Sequence, residues 1–135
     1  MIVDTGVLVA AADRGDAHHE RCAALLADAM DDLIVPVLAV AEVAHFLGRR
    51  LGSAQELAFL GAVLEGDLDV EPVEVEDWPR ITELVRDYAD LGLGTTDASL
   101  VAAAERLGET VVASLDHRHL ATVRPRHCAA LTLLP

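Results

Sequence analysis

Hydrophobic positions along the chain fall into two kinds of segment: short apolar runs, and longer stretches in which apolar residues recur every three or four positions. The first run, Met1–Asp4, predicts a strand, and Val7–Ala12 opens a helix behind it. Asp16 stands where a carboxylate caps a helix N-terminus, and a helix is predicted from there to about Met30, with Cys22, Leu25 and Leu26 on its apolar side. Leu33–Val37 is apolar without alternation, as in a strand covered on both faces. The helix that follows is predicted to run to about Leu51, where Gly52 ends it. Ser53, with Glu56 three positions on, has the form of a capping box that opens a helix to about Glu65. Leu68–Val73 alternates apolar and acidic residues in the manner of an edge strand. Asp77 is the expected cap of a helix that tolerates Pro79 in its first turn. Thr95 or Thr96 is the expected cap of another, running to Leu107 and stopped by Gly108. Thr110–Leu115 and Leu131–Leu134 complete the strands. Helices alternating with short buried strands predict an α/β sandwich around a mainly parallel sheet, formed by a single domain over residues 1–135.

Composition supports that picture. Of 135 residues, 53% are hydrophobic but only 3% aromatic, so Ala, Leu and Val must fill the core. Cys22 and Cys128 match no metal or redox spacing and are expected to be buried free thiols. No apolar run reaches the length of about 18 residues that a membrane span needs, and Met1–Val3 leads directly into Asp4 without a basic leader. A cytoplasmic protein is the expectation. The net charge of −13 is unevenly placed: residues 65–90 hold ten acids against two arginines, whereas residues 91–135 hold four of each. All ten basic residues are Arg; there is no Lys.

Three acids stand where an α/β fold places its working groups, outside the carboxyl ends of the strands. Asp4 ends the first strand, Asp116 lies just past the strand Thr110–Leu115, and Asp97 occupies the first turn of a helix, where the backbone dipole favours an ionised carboxylate. Carboxylates brought together repel unless a cation intervenes. Mg²⁺ takes oxygen ligands from a few carboxylates, and one or two such ions can activate water for phosphodiester hydrolysis. Among 23 acids some will end strands by chance, and Asp97 can equally serve its helix alone. Glu42 has no such positional argument. At about 100° per residue, Val40, Val43, Ala44, Leu47 and Leu51 form the apolar stripe of its helix, and Glu42 falls opposite, near Phe46 and Arg49, where a residue is solvated.

A resemblance adds to this reading. Ile2-Val3-Asp4-Thr5 resembles the opening of a PIN domain. The segment from Thr96-Asp97-Ala98 through Leu107-Gly108 resembles a later PIN block, as does Val112-Ala113-Ser114-Leu115-Asp116-His117-Arg118-His119. Within that family the chain is most similar to VapC-type toxins, over nearly its whole length to Leu131-Thr132-Leu133-Leu134-Pro135. The resemblance implies a three-layer α/β/α fold, a divalent metal (Mg²⁺, with Mn²⁺ as a substitute), endonucleolytic cleavage of RNA and neutralisation by a VapB-type antitoxin. It implies that Asp4, Glu42, Asp97 and Asp116 form the acidic set, Glu42 matching the family's helix glutamate within Val40-Ala41-Glu42-Val43. Thr5 and Ser114, beside two of these acids, are expected to contact substrate. Gly6 departs from the pattern, since a small hydroxyl or amide residue is common there. Ser114 stands where Thr is usual and keeps the hydroxyl.

Other chemistries fit less well. Asp4-Thr5-Gly6 spells an aspartic-protease motif, but such enzymes need two of these carboxylates in a β-rich fold. Receiver domains and haloacid-type phosphatases rely on a lysine to meet the phosphoryl charge, and this chain has none. His18-His19 and His117-Arg118-His119 fall short of the four ligands of a zinc site. RNA must find a local basic surface on so acidic a chain. Residues His117–His127, with Arg118, Arg124, Arg126 and no acid, are the candidate, Arg118 foremost. The antitoxin is expected to set an Arg near Asp4 and Asp97. A homodimer is expected, with Phe46 as a contact. The competing class is a catalytically silent PIN-like domain that acts only by binding a protein partner.

Overall fold

A computed structural model describes residues 1–29 and 33–135. β1 (Ile2–Val3) leads into α1 (Thr5–Ala12), followed by α2 (His19–Asp28), β2 (Ile34–Pro36), α3 (Val37–Arg50) and α4 (Ser53–Glu65). Then come β3 (Asp69–Glu71), α5 (Asp77–Asp87), a 3-10 turn at Ala89–Leu91, α6 (Thr95–Leu107), β4 (Val111–Ala113), α7 (His117–Leu120) and β5 (Thr132–Leu134). The five strands are all parallel, in the order β3-β2-β1-β4-β5.

Strand periodicity divides the core. Ile2 pairs in register with Ile34 and Val112, and all three face the layer of α5 and α6, where Leu84, Leu100 and Val101 are buried. Val3, in register with Ala113, faces the opposite layer with Val35, against Val7 of α1, Cys22 of α2 and Val43 and Leu47 of α3. Successive strand residues point to opposite faces, so strands sandwiched between two helical layers must be apolar at every position. The result is the three-layer α/β/α fold expected from the sequence.

Connections from β1 through β3 build the sheet in one direction, and the chain then returns past β1 to add β4 and β5 on its other side. The β1/β4 junction is therefore a topological switch point, where an open parallel sheet leaves a crevice beyond its carboxyl ends.

Four predicted caps are corrected. Ser53 lies inside α4, whose N-cap is Gly52 at φ 95°, a conformation that favours glycine. Glu56 does not reach back to close a box; its carboxylate lies over Gly48 of α3. Gly94, not Thr95 or Thr96, caps α6. Asp77 accepts from the backbone N–H of Glu74, but its main partner is Arg106. Asp16 accepts from His18 N–H, and α2 begins three residues later; its predicted end at Met30 lies outside the described residues. Cys22 is buried, whereas Cys128 is only half-buried, with Sγ donating to Ala130 O.

On the α5–α6 face four acids are paired with arginine. Asp77, 6% exposed, meets Arg106 at 3.0 Å, and Arg106 also meets Glu71 at 2.8 Å. Arg80 binds Glu105 at 2.8 Å and Glu83 at 3.2 Å. Glu83 also meets Arg126, and Glu105 accepts from the backbone N–H of Arg126, so this network straps residues 124–127 onto both helices. No helix among the described residues is long and apolar enough to cross a membrane.

Candidate functional site

Asp4 follows β1 directly and caps α1, accepting from Thr5 N–H on Oδ1 at 2.7 Å. Its own N–H reaches Ala113 O of β4, which ties the two strand ends together at the switch point. Ser114 continues β4, its N–H bonded to Leu134 O, and its hydroxyl serves two acids at once. Ser114 Oγ donates to Asp4 Oδ2 at 2.7 Å and accepts from Asp116 N–H at 2.9 Å. Asp116 caps α7, and its two oxygens meet the backbone N–H and the ring Nδ1 of His119. Asp97, in the first turn of α6, accepts from Gly94 N–H at 3.2 Å. Glu42 of α3 accepts from Thr5 Oγ1 at 2.9 Å and from Thr96 Oγ1 at 3.0 Å.

The four acids named from the sequence are thus drawn to one end of the molecule from β1, α3, α6 and the loop after β4. Burial raises the Asp4 carboxyl to about 6, with the charges of Asp97 and Glu42 adding to the rise and the Ser114 and Thr5 hydrogen bonds opposing it. Asp97 is raised as well, by burial first and then by Asp116 and Glu42, against the Gly94 hydrogen bond and His119. Burial penalises the charged form of an acid, and a like charge nearby adds to that penalty. Among the described residues none of these acids has an arginine partner.

Donor chemistry fits a hard divalent cation, since the pocket offers carboxylate oxygens and no thiolate. No three His, Cys, Asp or Glu side chains among the described residues already stand together as a metal-binding group.

The helical-wheel reading of Glu42 is corrected by the structure. The buried stripe of α3 is Ala39, Val43 and Leu47, and Glu42 lies beside it, half-buried against α1 and α6 instead of facing solvent. The expected substrate contacts separate. Thr5 is buried at 7% exposure and Ser114 at 0%, and both hydroxyls are engaged with carboxylates, so these two position acids and do not present a surface to RNA. Arg118 is exposed, and its guanidinium has no partner among the described residues. Arg126 is paired with Glu83, and Arg124 leans on Ala121 O, which narrows the candidate basic surface to its first residues. Two residues that hold the acids are read otherwise in the sequence, Thr96 as a helix cap and His119 as part of the basic segment. Thr96 sits next to Asp97, and His119 is three residues past Asp116, the position opposite an N-cap. An added Cβ at Gly6 would meet only Leu115 Cβ, at 3.8 Å, so the small residue common there has room.

No curated protein matches the chain in sequence. Among solved structures, the chain is similar to Mycobacterium tuberculosis VapC20, described as a toxin that cleaves the sarcin-ricin loop. The TM-score is 0.85 and the identity 21%, over 99% of this chain and 98% of that one. It is also similar to Rickettsia felis VapBC2 bound to a promoter DNA fragment, with a TM-score of 0.70 and 12% identity over 98% and 95% of the two chains. A third similar structure is FitAcB of Neisseria gonorrhoeae, with a TM-score of 0.68 and 19% identity over 99% and 96%. At these identities the likeness shows a shared fold. Residues 1–124 match the PIN domain family, a span that holds all four pocket acids, and the chain belongs to that family.

Proposed function

We propose that residues 1–135 act as a single Mg²⁺-dependent endoribonuclease domain, the toxin of a VapBC-type pair. The observation that carries this reading is the gathering of Asp4, Glu42, Asp97 and Asp116 at the switch point with no arginine partner among the described residues. Asp4, Asp97 and Asp116, with Glu42 as the fourth carboxylate, would hold the ion, Mn²⁺ serving in its place. The bound ion would supply an activated water and charge stabilisation at the leaving oxygen of a phosphodiester. The chain's own part is orientation. Ser114 fixes Asp4 and the start of the Asp116 loop, His119 holds both oxygens of Asp116, and Thr5 holds Glu42. Arg118, exposed two residues beyond Asp116, is the phosphate contact.

The partner follows from the same charge. A VapB-type antitoxin that sets an Arg against Asp4 and Asp97 would satisfy them by charge-assisted hydrogen bonds and keep metal and RNA out. Phe46, 36% exposed with Arg50 over its ring at 5.1 Å, is the proposed contact of a homodimer, which light scattering tests.

The deciding experiment is cleavage of RNA by the purified chain with Mg²⁺ and with chelator. Cleavage that requires the metal supports the reading. A chain that binds an antitoxin but cuts no RNA under either condition is the silent binding domain instead.

A further inference from the structure

Helical periodicity places Glu42 on the solvated side of α3, yet its carboxylate stands in the acidic pocket. Two contacts hold it, and they come from different layers. Thr5 opens α1, in the layer that includes α3, and donates to Oε2 at 2.9 Å. Thr96 lies in the first turn of α6, in the opposite layer, and donates to Oε1 at 3.0 Å. Each carboxylate oxygen thus receives one hydroxyl, and a carboxylate oxygen keeps a further lone pair for another partner. Without such donors a carboxylate beside Asp4 and Asp97, both of which it repels, would be driven to turn toward water.

We propose that Thr96, acting with Thr5, is a positioning residue that fixes Glu42 at the mouth between the two helical layers, so that its charge counts toward cation binding. The inference rests on the four acids being a metal site. Thr96 does not touch the cation; it acts through Glu42. Hydrogen-bonded supports of ligating carboxylates matter nearly as much as the ligands, and their loss weakens metal binding by about 10- to 100-fold.

The test is Mn²⁺ affinity by titration calorimetry, with thermal melting alongside, for wild type, Thr96→Val, Thr96→Ser, Glu42→Gln and the Glu42→Gln/Thr96→Val pair. Valine keeps the shape of threonine and removes the hydroxyl; serine restores it. Thr96→Val is expected to weaken Mn²⁺ binding about tenfold with little change in melting, Thr96→Ser to bind like wild type, and Thr96→Val to add nothing once Glu42 is Gln. If Thr96→Val melts early, Thr96→Ala against Thr96→Ser makes the same comparison. Unchanged affinity in Thr96→Val, or an equal loss on the Glu42→Gln background, overturns the positioning role and leaves the metal reading standing. A wild-type chain that binds no Mn²⁺ overturns both.

Discussion

The molecule treats its carboxylates in two ways. On the α5–α6 face Asp77, Glu71, Glu83 and Glu105 are each met by arginine, and the pairs tie helices and the 124–127 segment together. At the switch point, among the described residues, Asp4, Glu42 and Asp97 accept only from hydroxyls and backbone N–H groups, while Asp116 has the ring of His119. Neutral donors orient a carboxylate without cancelling its charge; a guanidinium does both. Paired acids are architecture. Acids held by neutral donors keep their mutual repulsion, which adds to burial in raising the Asp4 and Asp97 carboxyls.

The contrast breaks most visibly under substitution of the pocket acids. Asp4→Asn, Asp97→Asn and Asp116→Asn should each reduce RNA cleavage by about a hundredfold or more, the scale expected when several kcal/mol of metal-borne stabilisation are lost. Their melting temperatures should stay level or rise. A variant that cuts at the wild-type rate is not a ligand.

Asp77→Asn should do the reverse, lowering stability by about 2–3 kcal/mol because Arg106 loses its buried partner, with Mn²⁺ affinity unchanged. Denaturant unfolding and metal titration on one preparation check both halves. Equal stability would remove the architectural half of the comparison.

A third effect appears with pH. The Asp4 carboxyl lies at about 6 in the folded chain against 3.8 ordinarily, so the folded state binds its proton more tightly than the unfolded state does. Its contribution to stability is fully present below about pH 4 and is lost as pH rises through about 6. Wild type should therefore fall behind Asp4→Asn over that interval, by on the order of 3 kcal/mol, and the gap should be flat above it. A gap that stays constant between about pH 4 and about pH 6, the interval set by those two values, would show that Asp4 is not raised.

The smallest effect belongs to the free arginine. Arg118→Ala should flatten the log–log salt dependence of single-stranded RNA binding by about 0.7, one phosphate contact. Arg126→Ala should leave the slope unchanged, since Arg126 is already paired with Glu83. Identical slopes for wild type and Arg118→Ala would remove Arg118 from the RNA path.

The order of elements was legible because strands buried on both faces and helices buried on one leave different periodicities. Leu33, Ile34 and Val35 are apolar without a break, while Asp69 and Glu71 betray the edge strand. Helix starts were misread where the cap is a glycine, since Gly52 and Gly94 carry no side chain to announce it. Glu42 eluded periodicity because α3 has two contact faces, one against the core and one against α6 across the cleft, and the wheel assumes a single buried stripe. The partners of Asp77 and Arg126 lie 29 and 43 positions away, a separation over which one sequence carries no pairing signal. The family resemblance supplied Glu42, but not the hydroxyl of Thr96 that holds it.

Ser114 shows how much of a site can hang on an atom that no inventory of acids would count. One oxygen, sealed from solvent, reaches Asp4 at the end of β1 at 2.7 Å and the Asp116 N–H in the loop after β4 at 2.9 Å, so the two acids share one partner. A descendant with alanine there would inherit every carboxylate and the Asp4 N–H to Ala113 O bond between the strand ends, yet Asp4 Oδ2 and the Asp116 N–H would lose their shared partner. Judged by its acids it would pass for intact. The heritable unit of this pocket is therefore larger than its charges: it includes the silent hydroxyl that gauges the distance between them.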